Sequence, residues 1–226
     1  MAGIAEEADG LRAFFETPAD SGLLLRRFAR FKPQLRREEA TDWAQVSRDA
    51  WPPMLVGQRF YLVAPWSESE TPAGCLRLEI EPGMACGTGR HPATQLCLEA
   101  MERYVWPGSS VLDIGTGSGI LAQAAGLLGA RCAVGCDIDP EAIQVARRRS
   151  NLILFTGSVD AVRSRSADLI VANIDAASIE LLAPELKRVR RPQSTMILAG
   201  FTAGDIPEGV HPRETLRREE WICLIC

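Results

Sequence analysis

Residues 111–119 read Val-Leu-Asp-Ile-Gly-Thr-Gly-Ser-Gly, an apolar run that contains one acid and continues into three glycines at alternate positions. Gly115, Gly117 and Gly119 allow a tight turn and a close approach to a ligand, because glycine has no side chain and tolerates positive φ. The pattern predicts a buried strand, a ligand-binding turn and a helix in succession. A glycine triplet alone is also a common structural turn, so the neighbouring residues must decide between the two interpretations.

Asp113 indicates which kind of ligand the turn would take. A carboxylate just before the loop would repel a pyrophosphate, whereas it can reach the ammonium of a methionine moiety, directly or through water. The dinucleotide fingerprint also requires its third glycine one place later, where this chain has Ile120. We therefore expect S-adenosylmethionine, and a Rossmann oxidoreductase is the alternative.

A second acidic motif follows about 20 residues after the loop, where a ribose-binding acid belongs. It reads Asp137-Ile-Asp-Pro140 and ends a short apolar run. We expect Asp137 to accept hydrogen bonds from both ribose hydroxyls and Ile138 to lie against adenine. Asp139 and Pro140 are expected to cap and open the next helix. The alternative is that both acids are only caps.

From Ser110 onward the strand and helix patterns alternate, which predicts an α/β fold with a doubly wound, mainly parallel sheet. The predicted strands span residues 111–114, 133–137, 152–155, 168–173, 195–200 and 221–226. The predicted helices span residues 118–128, 140–149 and 178–189. Further upstream we expect strands at 11–15, 60–63 and 76–80 and helices at 21–31, 42–51 and 95–104.

Composition limits the function classes. A formal net charge of −4 over 226 residues provides no overall electrostatic footprint for nucleic acid. No apolar run approaches the length of a membrane span, and the start lacks a basic and hydrophobic leader, so we expect a cytoplasmic protein. Seven scattered cysteines and only two histidines favour free thiols over a metal site.

A second glycine-bearing loop, Gly87-Thr-Gly-Arg-His-Pro-Ala-Thr94, precedes the helix expected at 95–104. This loop is followed by the glycine triplet, the Asp137 motif, Val171-Ala-Asn-Ile174 and Glu219-Glu-Trp221. The series resembles, in order, the PrmA family of class I methyltransferases, which methylate ribosomal protein L11. Any one motif is weak, but their joint order is highly specific.

The resemblance implies that Thr94, Gly115, Asp137 and Asn173 contact S-adenosylmethionine or frame its methyl group. Together with the residue-based reasoning, it predicts a cofactor site and one catalytic residue, Asn173, whose amide oxygen would orient an incoming amine. No base is apparent, so we expect catalysis by positioning. The predicted cofactor-binding residues are Thr94, Asp113, Gly115, Thr116, Gly117, Gly119, Asp137, Ile138 and Asn173.

From the comparison with the family, we expect a shortened substrate-recognition region at the start, and Arg90 adds a charge that we expect near the cleft. We divide the chain into residues 1–40, a truncated recognition domain, 41–75, a connecting segment, and 76–226, the cofactor-binding domain. The expected activity is methylation of lysine or N-terminal amines of ribosomal protein L11. The alternatives are a methyltransferase for another protein or a small amine, and a cofactor-binding module with little activity. We expect no nucleic-acid or membrane partner.

Overall fold

The computed structural model describes residues 3–7, 10–14, 21–34, 51–80, 89–148 and 152–226. The chain forms two compact units, Met1–Val46 and Ser47–Cys226. The helix expected at 42–51 lies outside the described residues except at Trp51, which is not helical. Most of the second glycine-bearing loop, residues 81–88, also lies outside them. The functional division at residues 40 and 75 stays a prediction.

The first unit contains one hairpin and one short helix. Strands β1 (Gly3–Glu7) and β2 (Gly10–Phe14) pair antiparallel. Helix α1 (Ser21–Arg27) is followed by a 3₁₀ turn, Ala29–Phe31. The helix expected at 21–31 is therefore divided, and Lys32 after the turn adopts a left-handed conformation with φ 50°.

The second unit begins with a three-stranded sheet of β3 (Met54–Val56), β4 (Phe60–Val63) and β5 (Leu76–Glu79). Strand β3 was not expected, because three residues are too few to show an alternating pattern. The turn before β4 is held by the Glu102 carboxylate, which accepts hydrogen bonds from the backbone N–H groups of Gln58 and Arg59. These bonds tie the small sheet to helix α2 (Pro92–Tyr104).

The main sheet has seven strands in the order β11-β12-β10-β9-β6-β7-β8. All neighbouring pairs are parallel except those that β12 makes with β10 and β11. The strands are β6 (Ser110–Ile114), β7 (Cys132–Asp137), β8 (Ile153–Thr156), β9 (Ala167–Asn173), β10 (Arg190–Thr202), β11 (Glu214–Arg218) and β12 (Trp221–Ile225). The helices are α3 (Ile120–Leu127), α4 (Pro140–Arg147) and α5 (Ala176–Val189).

The predicted fold class is confirmed: the sheet is doubly wound and mainly parallel. On one face of strand β9, Leu169 and Val171 pack in a core with α2 and α3. On the other face, Ile170 and Ala172 pack in a second core with α5. Apolar residues therefore pack on both faces, as expected for a sheet covered by helices on both sides. Strand β11 was not predicted, because Leu216 is its only apolar residue and one residue gives no alternating pattern.

The topology fixes where a ligand can bind. Strand β6 lies between β7 and β9. After β6, the chain adds β7 and β8 on one side of it and then β9 and β10 on the other side, so the strand order reverses at β6. Ligands of such sheets bind outside the carboxyl ends of the strands at the point where the order reverses. The ends of β6, β7 and β9 carry the glycine loop, Asp137 and Asn173, respectively.

Candidate functional site

The glycine loop turns sharply at the end of β6. The backbone N–H groups of Gly115 and Thr116 both donate to the Cys136 carbonyl, at 2.9 and 3.0 Å, which anchors the loop to β7. Gly115 has φ 68°, and a Cβ there would collide with Cγ2 of Ile174. Gly119, with φ 79°, is the N-cap of α3. The expected helix start at 118 therefore moves to Ile120.

Asp113 lies beneath this loop, with only 1% of its surface exposed. Its Oδ2 accepts hydrogen bonds from Thr116 Oγ1, at 2.6 Å, and from the Ala122 N–H, at 3.1 Å. Oδ1 is buried and has no partner among the described residues. Burial raises the pKa of Asp113 to about 7. Asp113 thus joins the loop to the start of α3, and its contact with a methionine ammonium stays a prediction.

Asp137 holds the opposite side of the loop. Oδ2 accepts a hydrogen bond from the Gly117 N–H, at 2.9 Å, and Oδ1 accepts one from the Asp139 N–H, at 3.0 Å. A carboxylate has about four lone-pair sites, so each oxygen retains capacity for a ribose hydroxyl. The next residue, Ile138, is 80% exposed, which is unusual for a large apolar side chain and provides a surface for an aromatic base.

The predicted cap of α4 is confirmed. Asp139 accepts a hydrogen bond from the Glu141 N–H at 2.8 Å, and Pro140 occupies the first turn. Since Asp139 fills the capping role, Asp137 is left for a different one.

Thr94 and Asn173, 79 residues apart in the chain, meet at the carboxyl edge of the sheet. The Asn173 side-chain amide donates from Nδ2 to Thr94 Oγ1 at 3.1 Å. Thr94 is only 2% exposed, so this bond fixes the orientation of the amide. The Asn173 Oδ1 is then the atom that can accept a hydrogen bond from a ligand. Direct contact between Thr94 and a cofactor stays a prediction.

The loop before α2 is held by contacts of His91 and Arg90. His91 is the N-cap of α2: its Nδ1 accepts the Ala93 N–H, and its ring contacts that of Trp221 edge-on at 4.4 Å. Arg90 lies over the Trp51 ring at 4.5 Å and donates to the Pro52 carbonyl at 3.1 Å. Stacking and hydrogen bonding thus hold the guanidinium against residues 51–52, and the expectation that Arg90 places its charge near the cleft stays a prediction.

Two residues at this edge were not identified from the sequence. Ile174 packs over Gly115, and its backbone lies so close to Gly200 that a Cβ at Gly200 would be 2.5 Å from the Ile174 carbonyl oxygen. Gly200 has φ 101°, a backbone conformation that a residue with a side chain could not adopt without strain. The only available signal was the position of Ile174 directly after Asn173.

S-adenosylmethionine fits these residues. Its ribose diol matches the Asp137 oxygens, its adenine matches the exposed Ile138, and its cationic methionine end matches the unpartnered Oδ1 of Asp113. The close packing of Ile174 against Gly115 leaves no room for a side chain at this position of the loop. Within the described ranges, no three His, Cys, Asp or Glu residues are grouped so as to hold a metal ion. The described helices are all too short or too polar to cross a membrane.

Known proteins share both the sequence and the fold. The family model described as Ribosomal protein L11 methyltransferase (PrmA) matches residues 11–226. A relative of that name from Burkholderia multivorans is 37% identical over 203 residues, which are 85% of this chain and 67% of the relative. The relative from Burkholderia lata is 37% identical over 200 residues, which are 84% of this chain and 66% of the relative.

A crystal structure titled ribosomal protein L11 methylase, from Lactobacillus delbrueckii subsp. bulgaricus, superposes with a TM-score of 0.70 at 27% identity. The match covers 76% of this chain and 96% of that one. The chain thus spans about two thirds of the length of the curated relatives, with the glycine loop, Asp137 and Asn173 all inside the matched region. By sequence and by fold, this chain belongs to the ribosomal protein L11 methyltransferase (PrmA) family of S-adenosylmethionine-dependent enzymes.

Proposed function

We propose that this protein transfers methyl groups from S-adenosylmethionine to amino groups of ribosomal protein L11, at lysine side chains, the N-terminal amine or both. The observation that carries the proposal is the Asn173 amide, which Thr94 orients at the carboxyl edge of the sheet. The substrate is proposed from the names of the relatives. A cytoplasmic location follows from the same proposal, since ribosomal proteins are the substrates.

The cofactor, when bound, supplies a methyl carbon that is already activated by its sulfonium. The protein must then hold a neutral amine in line with that carbon, which is mainly a positioning task. With Nδ2 committed to Thr94, Asn173 can accept an N–H of the amine through Oδ1, so that the nitrogen lone pair is aimed away from the amide. An unperturbed lysine amine has a pKa of about 10.4, and partial desolvation at the edge would favour its neutral form.

His91 does not serve as a base in this proposal. Its Nδ1 accepts the Ala93 N–H at 3.3 Å, and its ring packs against Trp221. Both contacts assign His91 to the start of α2. The amine proton is therefore expected to leave to solvent before the amine binds.

The test is mass spectrometry of ribosomal protein L11 after incubation with the enzyme and S-adenosylmethionine. We expect added methyl groups with the native chain. Asn173→Ala should lower the rate by about 100-fold at saturating cofactor, because the amine loses its orienting acceptor. A substrate of unchanged mass, with cofactor demonstrably bound, would rule out L11 as the acceptor.

A small amine or another protein was the alternative acceptor, and Arg90 was one reason to consider it. The Arg90 guanidinium is already engaged by Trp51 and Pro52, so its presence alone does not favour the alternative. Calorimetric binding of the cofactor without turnover on ribosomal extract would instead favour a binding module with little activity.

A further inference from the structure

Basic side chains gather at the amino-terminal edge of the main sheet, opposite to the edge that carries Asn173. They surround an open pocket of about 410 Å³ between the end of α5, the start of β10 and the turn before β9. No carboxylate lines this pocket. We call it the basic pocket, and its lining residues are Arg165, Lys187, Arg190, Arg191, Pro192 and Gln193.

Two of the guanidinium groups are held in place by neighbours. Arg190 donates from Nε and Nη2 to the hydroxyl and the carbonyl of Ser194, at 3.0 and 3.1 Å. Arg191 donates from Nη1 to both oxygens of Asp168, at 2.9 and 2.8 Å. Within the described part of the chain, Nη1 of Arg190 and Nη2 of Arg191 have no acceptor. Guanidinium groups that are fixed in this way, each with a nitrogen still available to donate, are preorganised to bind an anion.

The other two cations have no anionic partner. Arg165 and Lys187 are exposed, and neither forms an ion pair with any residue of the described ranges. Two carboxylates on the neighbouring elements are already paired, Asp168 with Arg191 and Glu185 with Arg188. The pocket therefore carries an uncompensated positive charge in a chain whose net charge is −4.

The backbone around the pocket is strained. The register between β10 and β9 shifts between Arg190 and Thr195, so residues 191–194 bulge out of the sheet. Arg165 and Gln193 have φ 51° and 64°, and they are two of the four non-glycine residues with positive φ in the described ranges. Bulges and left-handed residues that are not glycine concentrate at sites where side chains must be aimed at a ligand.

We propose that the basic pocket binds the phosphate groups of an RNA strand. Arginine forks match phosphate oxygens, and an open pocket admits a continuing backbone. A single small anion would gain little from two exposed cations, whereas a polyanion releases counterions at each contact. No aromatic ring lines the pocket, so the contacts are to the backbone and carry no base sequence. The proposal does not depend on the acceptor of the methyl group.

The absence of a nucleic-acid partner, expected from composition, rested on the net charge. Net charge averages over the whole surface, while binding responds to the local potential. The basic pocket is a local positive surface, at the edge opposite to the Asn173 amide.

The test is fluorescence anisotropy of a 5′-labelled single-stranded oligouridylate titrated with the full chain at low salt. The double variant R165E/K187E should bind at least about tenfold more weakly. The slope of log affinity against log salt should become shallower by about 1.4, the value for two lost phosphate contacts on a single strand. The matched control R27E/R217E changes the net charge equally at two exposed arginines outside the pocket, and it should alter affinity less than about twofold.

Circular dichroism and the thermal midpoint identify a variant that fails to fold, and R165Q/K187Q then replaces the charge reversal, with the same change in slope because the same two contacts are lost. Absence of binding by the native chain at low salt would overturn the proposal. So would equal weakening in both double variants, which would indicate bulk charge alone. If inorganic phosphate displaces the oligonucleotide as well as an equal concentration of RNA phosphate, the site takes a small anion and the RNA proposal fails.

Discussion

At the scale of single residues, Asp113 is a buried carboxylate that lowers the stability of the folded protein near neutral pH. Its carboxyl is almost fully buried, yet only Oδ2 has hydrogen-bond donors among the described residues. Burial raises its pKa from 3.8 to about 7, so near neutral pH the folded protein carries a carboxylate that it solvates poorly. Such a group is retained at the expense of stability, which is typical of functional positions.

This gives a pH prediction for stability. Between pH 4 and 7 the folded state holds the Asp113 proton more tightly than the unfolded state does, so the free energy of unfolding falls as pH rises. Asp113 should account for a fall of about 2.5 kcal/mol between pH 5 and 8. Asp113→Asn keeps an oxygen for Thr116 and Ala122 and should remove this part of the pH dependence.

Urea unfolding of both chains at pH 5, 6, 7 and 8 measures the effect. Asp168, Asp175 and Glu214 have lowered pKa values through hydrogen bonds and ion pairs, so they titrate below this window. Parallel curves for the native chain and the variant would contradict the assignment to Asp113.

Asp137 leads to a prediction for affinity. Asp137→Ala removes a bidentate charge-assisted acceptor and should weaken S-adenosylmethionine binding by about 1.5 to 3 kcal/mol. Asp139→Asn is the matched control, since asparagine also caps α4 and the side chain of Asp139 bonds only the Glu141 N–H. Isothermal titration calorimetry compares the two, and equal affinities would mean that Asp137 is structural.

At the scale of elements, Arg188 joins α5 to the turn before β9. Its guanidinium donates to the carbonyls of Val159, Asp160 and Val162, at 3.0, 3.2 and 2.7 Å, and also to Ser164 Oγ and Glu185. One side chain thus donates to three backbone carbonyls, of which that of Val159 also accepts the Val162 N–H of a short 3₁₀ turn. The segment between β8 and β9 depends on this residue for its shape.

Arg188→Ala should therefore destabilise the protein by about 2 to 4 kcal/mol, because it leaves the carbonyls of Asp160 and Val162 without this side-chain donor. Arg188→Lys should recover little, since an ammonium cannot span the fork of contacts. Lys187→Ala, one residue earlier and exposed, should change stability by less than about 0.5 kcal/mol. Chemical denaturation distinguishes the three variants, and a small effect of Arg188→Ala would show that water can replace the guanidinium.

At the scale of the whole molecule, the two units divide the proposed tasks. Every described residue of the cofactor site lies within Ser47–Cys226, and so do both cores of the main sheet. The first unit, Met1–Val46, contains none of them. We propose that the surfaces that recognise the protein acceptor include the first unit.

A chain of residues 47–226 should bind S-adenosylmethionine with an affinity within about twofold of the full chain. Its rate of L11 methylation should fall by at least about tenfold, because the acceptor loses part of its binding surface. Calorimetry and mass spectrometry measure the two properties separately. Full activity of the shortened chain would remove the first unit from acceptor recognition.

Much of the fold was predictable from local patterns. The strand at residues 60–63 was predicted at its observed bounds. The glycine loop and the Asp139-Pro140 pair each lie within a few residues of the start of a helix. Strands β1, β3 and β11 were missed, because none has the alternating apolar pattern that identifies a strand. Each of them pairs with a neighbouring strand, and that pairing is not recorded in its own short sequence.

The sequence by itself determined the order of strands and helices and the class of cofactor, because glycine turns, caps and apolar periodicity act over a few neighbouring residues. Only the tertiary structure decided where long side chains point. It brought Asn173 to Thr94 across 79 residues, turned Arg90 onto Trp51, and gathered Arg165 beside Lys187. These contacts depend on which elements pack together, and no local pattern records that choice.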